Sequence, residues 1–239
     1  METNNFNFVQ SQPETTAAMS KTFISSVFSW MSLALVITGI TSYIFASDLS
    51  LMSLLVKETG GFSILGYIVI FAPLAFVLVI NFGFERLSLP MIIFLYTLYS
   101  LVMGMSMSFL FYAYTGETLV KTFLISAGSF GAMAVLGYTT KTDLSKLGAI
   151  LMMALFGVLI ASLVLVFTGG STFIIDCICV FIFTGLAAYK VQMLKELGSQ
   201  ASTDTVHGKK LAVWGALSLY ITFINLFMTL LRLMGGDRK

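Results

Sequence analysis

The chain has 239 residues, 58% of them hydrophobic and only 10% charged, with a formal net charge of +2 and a mean hydropathy of +0.96. Ordinary soluble domains carry roughly 25% charged residues, so the composition excludes one, and a charge this small and scattered gives nucleic acid no footing. The length fits one membrane domain with a short tail better than two globular domains.

Residues 1–20 are polar, include Glu2, Pro13 and Glu14, and lack apolar periodicity, so they read as a mobile tail. The membrane domain is expected over 21–239. A first apolar stretch at about 22–46 is too long, and its leader too polar and acidic, for a signal peptide, and a retained span is expected. Further spans follow at about 62–82, 89–114, 118–139, 147–168, 171–194 and 211–234. Each is long enough to cross a hydrocarbon core of roughly 30 Å at 1.5 Å per residue. Lipid offers the backbone no hydrogen bonds, so runs of this length are helices. The expected fold is an all-α integral membrane protein, a bundle of seven transmembrane helices.

Thr168-Gly169-Gly170-Ser171 and Tyr114-Thr115-Gly116-Glu117 read as tight turns, and 195–210 as the one long polar loop. Gly104 with Ser108, Ala127 with Gly131, and Gly128 with Ala132 have the spacing of close helix packing within the bundle. Lys21, Arg86, Lys141, Lys146, Lys195, Lys209 and Lys210 fall on one side. Lys57, Lys121 and then Arg232, Arg238 and Lys239 fall on the other, which places the N-terminus in the cytoplasm. The C-terminal charges oppose that scheme and leave a re-entrant last helix as an alternative.

Cys177 and Cys179 sit in an apolar stretch and read as small hydrophobes, and His207 is the one histidine. No cluster has metal-ligand spacing, and no phosphate loop or nucleophile motif is present, so neither a cofactor nor an enzyme activity is expected. The informative residues are polar ones inside spans. A central Lys or Asp raises insertion free energy by about 2.5–3.5 kcal/mol and therefore needs a partner, water or a function. Asp176 lies near the start of the sixth span, either hydrated at the interface or lining an outward cavity. Lys190 follows fourteen residues later, about 21 Å along a helix and nearly on the same face. It either snorkels to the cytoplasmic interface or pairs with Glu85, which with Arg86 closes the second span, or with backbone carbonyls. In the last span Thr222, Asn225, Thr229 and Arg232 step by three and four residues along one face. They either bond between helices or form a polar path through the bundle.

Three segments carry a resemblance. Leu136-Gly137-Tyr138-Thr139-Thr140-Lys141-Thr142-Asp143-Leu144-Ser145 resembles the loop after the fourth span of the Bax inhibitor-1 family (YccA-like). Gly185-Leu186-Ala187-Ala188-Tyr189-Lys190-Val191-Gln192 is similar to its G-L-x-A-Y-D-x-Q motif. Leu217 through Phe227, with Tyr220 and Asn225, followed by Leu230-Leu231-Arg232, resembles its last helix. The resemblance implies a seven-helix bundle around a central hydrophobic last helix, and a pH-sensitive calcium leak across a membrane. For bacterial members it also implies the inner (plasma) membrane and, in some, modulation of a membrane AAA protease of the FtsH type. In leak-forming members two aspartates from the last two spans share a proton, and an arginine latches onto them. Here those aspartate positions hold Lys190 and Thr222, with Arg86 the nearest candidate for the latch. A cation 4 Å from an ammonium is repelled by about 4 kcal/mol per unit charge at an effective dielectric of 20. The expectation is a calcium or other cation leak channel without its aspartyl pH switch. The alternative is a non-conducting regulator of a membrane protease or another membrane complex.

Overall fold

In the computed structural model the described residues are 13–57, 61–169, 172–200 and 205–235. They form α1 (Pro13–Ser47), α2 (Leu49–Leu55), α3 (Ile64–Gly83), α4 (Leu89–Met107), α5 (Leu110–Ala113), α6 (Gly116–Thr139), α7 (Ser145–Thr168), α8 (Phe173–Gln200) and α9 (Val206–Met234). Seven of the runs are long and apolar enough to cross a membrane, α4 and α5 together making one. The protein is an all-α membrane bundle.

Three sequence expectations shift. Residues 1–12 of the expected tail lie outside the described residues, whereas 13–20 form the first turns of α1. Ser20 anchors them, its hydroxyl donating to the Lys195 carbonyl at 2.9 Å. The 195–210 segment is less of a loop than expected. Residues 195–200 continue α8, a run with the strong helix formers Lys, Glu and Leu, and Gly198 lies against the Phe23 ring. The re-entrant alternative also falls, because α9 runs unbroken over 29 residues with no point at which to double back.

Helix ends follow local chemistry. Thr115 caps α6 through the Thr118 N–H and Ser63 caps α3 through the Gly66 N–H. Gly169 closes α7 in the left-handed conformation at φ 72°. The run 89–114 breaks at Ser108, whose hydroxyl turns back to the Met105 carbonyl at 2.6 Å.

The core is α9. About 67% of its spanning window is buried, against 11% for α7. Helices α1, α4, α6 and α8 pack directly on it. Ala212, Val213, Ala216, Leu219, Tyr220, Phe223 and Leu226 form a broad buried face, and Thr222 and Thr229 extend it, leaving a strip with Asn225 and Arg232 exposed. Tyr220 ties three helices together, its hydroxyl meeting Thr38 Oγ1 at 2.7 Å while Thr38 donates to the Ser100 carbonyl at 3.0 Å. Gly104 lets α4 close on α1, since a Cβ there would stand 2.7 Å from the Thr38 carbonyl oxygen. The small residues of α6 do otherwise. Ala127, Gly128, Gly131 and Ala132 are all exposed, and a Cβ on either glycine meets nothing within 4 Å. The packing expected of them inside the bundle is therefore absent, because α6 presents its other face, with Ser126, Phe130 and Ala134, to α8 and α9.

Candidate functional site

Helices α8 and α9 are antiparallel partners joined by a short connection, so residues before and after it face one another in order. Lys190 of α8 reaches across to α9. Its Nζ donates to Thr222 Oγ1 at 2.8 Å and to the Ser218 carbonyl at 3.2 Å, and the Thr222 hydroxyl donates to the same carbonyl at 2.9 Å. Thr222 is buried at 2% exposure. The two positions that carry the shared proton in the resemblance are thus in direct contact, joined by an ammonium–hydroxyl clasp. Lys190 takes the carbonyl option of the sequence reading. Glu85 and Arg86 are exposed at the end of α3, and neither belongs to the ion pairs formed among the described residues, Lys121–Glu117 and Arg232–Asp176.

Asp176 is enclosed by protein and ion-paired. It is buried at 3% exposure, with Arg232 Nε and Nη2 both 2.8 Å from its Oδ1. The half-exposed Arg232 also reaches the Thr229 hydroxyl at 3.5 Å. The polar stripe of α9 is not a continuous path. Asn225 is exposed and donates to its own helix at the Ile221 carbonyl, and Thr229 donates to the Asn225 carbonyl.

The remaining motif residues build a clamp beside the clasp. Gly137 sits where α6 meets the α8 backbone at Ala188, leaving no room for a Cβ. The Tyr189 ring covers Gly148 of α7. Gln192 uses both ends of its amide on the α6–α7 connection, accepting from the Leu144 N–H and donating to the Thr142 carbonyl, each at 2.8 Å. One turn later Lys195 donates to the Tyr138 carbonyl at 2.7 Å and lies over the Tyr138 ring. Asp143 accepts from the Ser145 N–H at 2.8 Å. Ser218, Thr142 and Leu144 were not singled out from sequence. Ser218 stands one helical turn before Thr222, which is where a back-bonding threonine finds its acceptor. Among the described residues no group of three or more His, Cys, Asp or Glu side chains is placed to hold a metal ion.

Comparison with known proteins shows the family. The family model described as "Inhibitor of apoptosis-promoting Bax1" matches residues 20–239. The inner membrane protein YbhL of Escherichia coli K12 is 39% identical over 221 residues, covering 91% of this chain and 93% of that protein. An uncharacterized protein of Rickettsia prowazekii is 37% identical over 233 residues, covering 94% and 96%. An uncharacterized membrane protein of Streptococcus pyogenes serotype M6 is 34% identical over 222 residues, covering 90% and 93%. With a match over nearly the whole chain and the motif residues gathered on α6, α8 and α9, the protein belongs to the Bax inhibitor-1 family.

Proposed function

We propose that this chain is an ion-leak protein of the Bax inhibitor-1 kind whose path is closed at the α8–α9 clasp by a positive charge instead of a proton-sharing carboxylate pair. The observation that carries the reading is the contact of Lys190 Nζ with Thr222 Oγ1 and the Ser218 carbonyl. A carboxylate pair 3 Å apart holds one proton between its members and opens or closes as that proton leaves. The clasp has no carboxylate to take up a proton in mild acid, and its ammonium repels calcium. The path in this protein is therefore closed to divalent cations and does not open in mild acid. Its setting is a bacterial inner membrane, with the N-terminus in the cytoplasm.

The test is flux into liposomes loaded with a calcium dye, using the full chain. The wild type gives low flux that is flat from mildly acidic to neutral pH. The double substitution Lys190→Asp with Thr222→Asp restores a carboxylate pair and with it a pH-dependent calcium flux. No flux from either protein at any pH defeats the leak reading.

A second reading, a non-conducting regulator of a membrane complex such as an AAA protease, is favoured by the outward-facing small residues of α6. Ala127, Gly128, Gly131 and Ala132 form an exposed strip of the kind on which another transmembrane helix packs. Mild crosslinking in membranes followed by purification tests it, and absence of any co-purifying membrane protein counts against it. Neither reading involves catalysis.

A further inference from the structure

Helices α1 and α6 both rest on α8 and α9 but make little contact with each other. The gap between them opens sideways. In the half of the bundle where α1 ends, it widens into a groove of about 550 Å³, within the roughly 300–1,000 Å³ of small-molecule sites. Its walls are Gly39 and Tyr43 of α1 and Val120 and Phe123 of α6, and Phe223 and Phe227 of α9 form the floor. Gly39 and Gly116 keep the two walls low, since a Cβ on either meets nothing within 4 Å.

Water is a poor occupant. A buried water needs two to four polar partners. The lining is almost entirely carbon, and the Thr38 hydroxyl at its base is already engaged by Tyr220 and the Ser100 carbonyl. Hydrocarbon is the natural one. Both rims are continuous with the lipid-facing surface, through the exposed Val36, Ile40 and Tyr43 on one side and Val120 and Leu124 on the other. The length also matches. From Tyr43, one turn before the end of α1, to Leu35 the groove descends eight residues, about 12 Å at 1.5 Å per residue. One leaflet of a roughly 30 Å hydrocarbon core is about 15 Å deep. The polar end of the groove coincides with aromatic Tyr43 and Tyr112, the latter donating to the Ala46 carbonyl, where an interfacial belt is expected.

We propose that this groove is a binding site for one acyl chain of a phospholipid from the leaflet in which α1 ends, with the chain lying between α1 and α6 on the phenylalanine floor of α9. The site is separate from the clasp, so its test stands whether or not the protein conducts ions.

The experiment uses the full chain, purified from vesicles of phosphatidylcholine and phosphatidylglycerol into mild detergent, with native mass spectrometry counting retained phospholipid. The wild type retains phospholipid through detergent exchange. Gly39→Leu fills the open space of the groove and lowers retention several-fold, and Val120→Trp, placed at the exposed rim of the opposite wall, does the same. Gly128→Leu, also directed into open space but outside the groove, leaves retention as in the wild type. Circular dichroism and thermal unfolding verify that each variant keeps its helices. A wild type that carries no phospholipid overturns the proposal, as does retention unchanged in both groove variants. A fall from dimer to monomer in Gly39→Leu with retention unchanged also overturns it, because the groove would then hold a helix of a second copy.

Discussion

Two polar pairs join α8 to α9, and they are built on opposite terms. At one end Asp176 and Arg232 combine opposite charges, the carboxylate buried and the guanidinium half in the open. Further along, Lys190 meets only a hydroxyl and a carbonyl. The first pair cancels its charge where the helices emerge. The second keeps a charge inside the bundle and solvates it with neutral oxygens, an arrangement that stability alone does not favour. Ionic pairs inside proteins barely offset their desolvation, and a hydroxyl offsets less. A residue that adds little stability where it stands is a better candidate for function than one locked in an ion pair, and this is why the functional reading rests on Lys190 and not on Asp176.

The sharpest way to break that contrast is to remove one partner at a time from the ion pair. Arg232→Ala strands a buried carboxylate, and loss of one member of a buried pair costs about 3–5 kcal/mol. Asp176→Asn strands only a guanidinium that already reaches solvent, so about 1 kcal/mol is expected, near the value of exposed pairs. Unfolding in mild detergent measures both. Equal losses would mean that Asp176 is as well solvated as Arg232.

Gln192 comes next. Both ends of its amide are used on the α6–α7 connection, and Gln192→Ala leaves the Leu144 N–H and the Thr142 carbonyl without it. A loss of about 1–3 kcal/mol is expected, with faster hydrogen exchange at Leu144. A change confined to the connection would separate this clamp from the clasp next to it.

The clasp itself gives the smaller numbers. Thr222→Val removes one of two acceptors from Lys190 and is expected to lower stability by about 1 kcal/mol. Lys190→Met, of similar length and without charge, is expected to be neutral or mildly stabilising, as when buried ionic groups give way to apolar ones. A large loss from Lys190→Met would turn the clasp into a structural element and weaken the functional reading. Combining it with Glu85→Gln should show coupling no greater than about 0.5 kcal/mol, the limit for independent sites.

The seven spans were legible because a run of twenty apolar residues leaves the backbone no choice but helix. The short α2 and α5 and the break at Ser108 were not, since a polar residue within an apolar run says nothing of where its hydroxyl turns. Every member of the two polar pairs except Ser218 was picked out by its residue type alone. Their pairing was also within reach. Positions 176 and 232, like 190 and 218, are equidistant from the α8–α9 connection, so a tight antiparallel hairpin brings each couple face to face. Treating 195–210 as a long loop hid that symmetry. The outward turn of Gly128 and Gly131 was not legible, because small residues four apart have the same spacing whether they meet a neighbour or none.

The smallest effect expected is a titration, and it falls on the loop that Gln192 holds. Asp143 is fully exposed, but the hydroxyl and backbone N–H of Ser145 hold its carboxyl below the ordinary aspartate range, and Lys146 adds a weaker pull. A depressed folded-state pKa means that the carboxylate supports the first turn of α7 at all pH values above the unfolded pKa. That support is lost as pH falls through the folded one. Amides at the start of α7, from Ser145 to Gly148, should therefore exchange faster in strong acid after correction for intrinsic rates, and not at all differently between mildly acidic and neutral pH. Asp143→Ala should show the acid-state exchange throughout and lose the dependence. The clasp has no carboxylate to protonate, so flux should stay flat from neutral to mildly acidic pH in both proteins. A pH-dependent flux that Asp143→Ala abolished would move the proton switch out of the α8–α9 pair and into the α6–α7 connection.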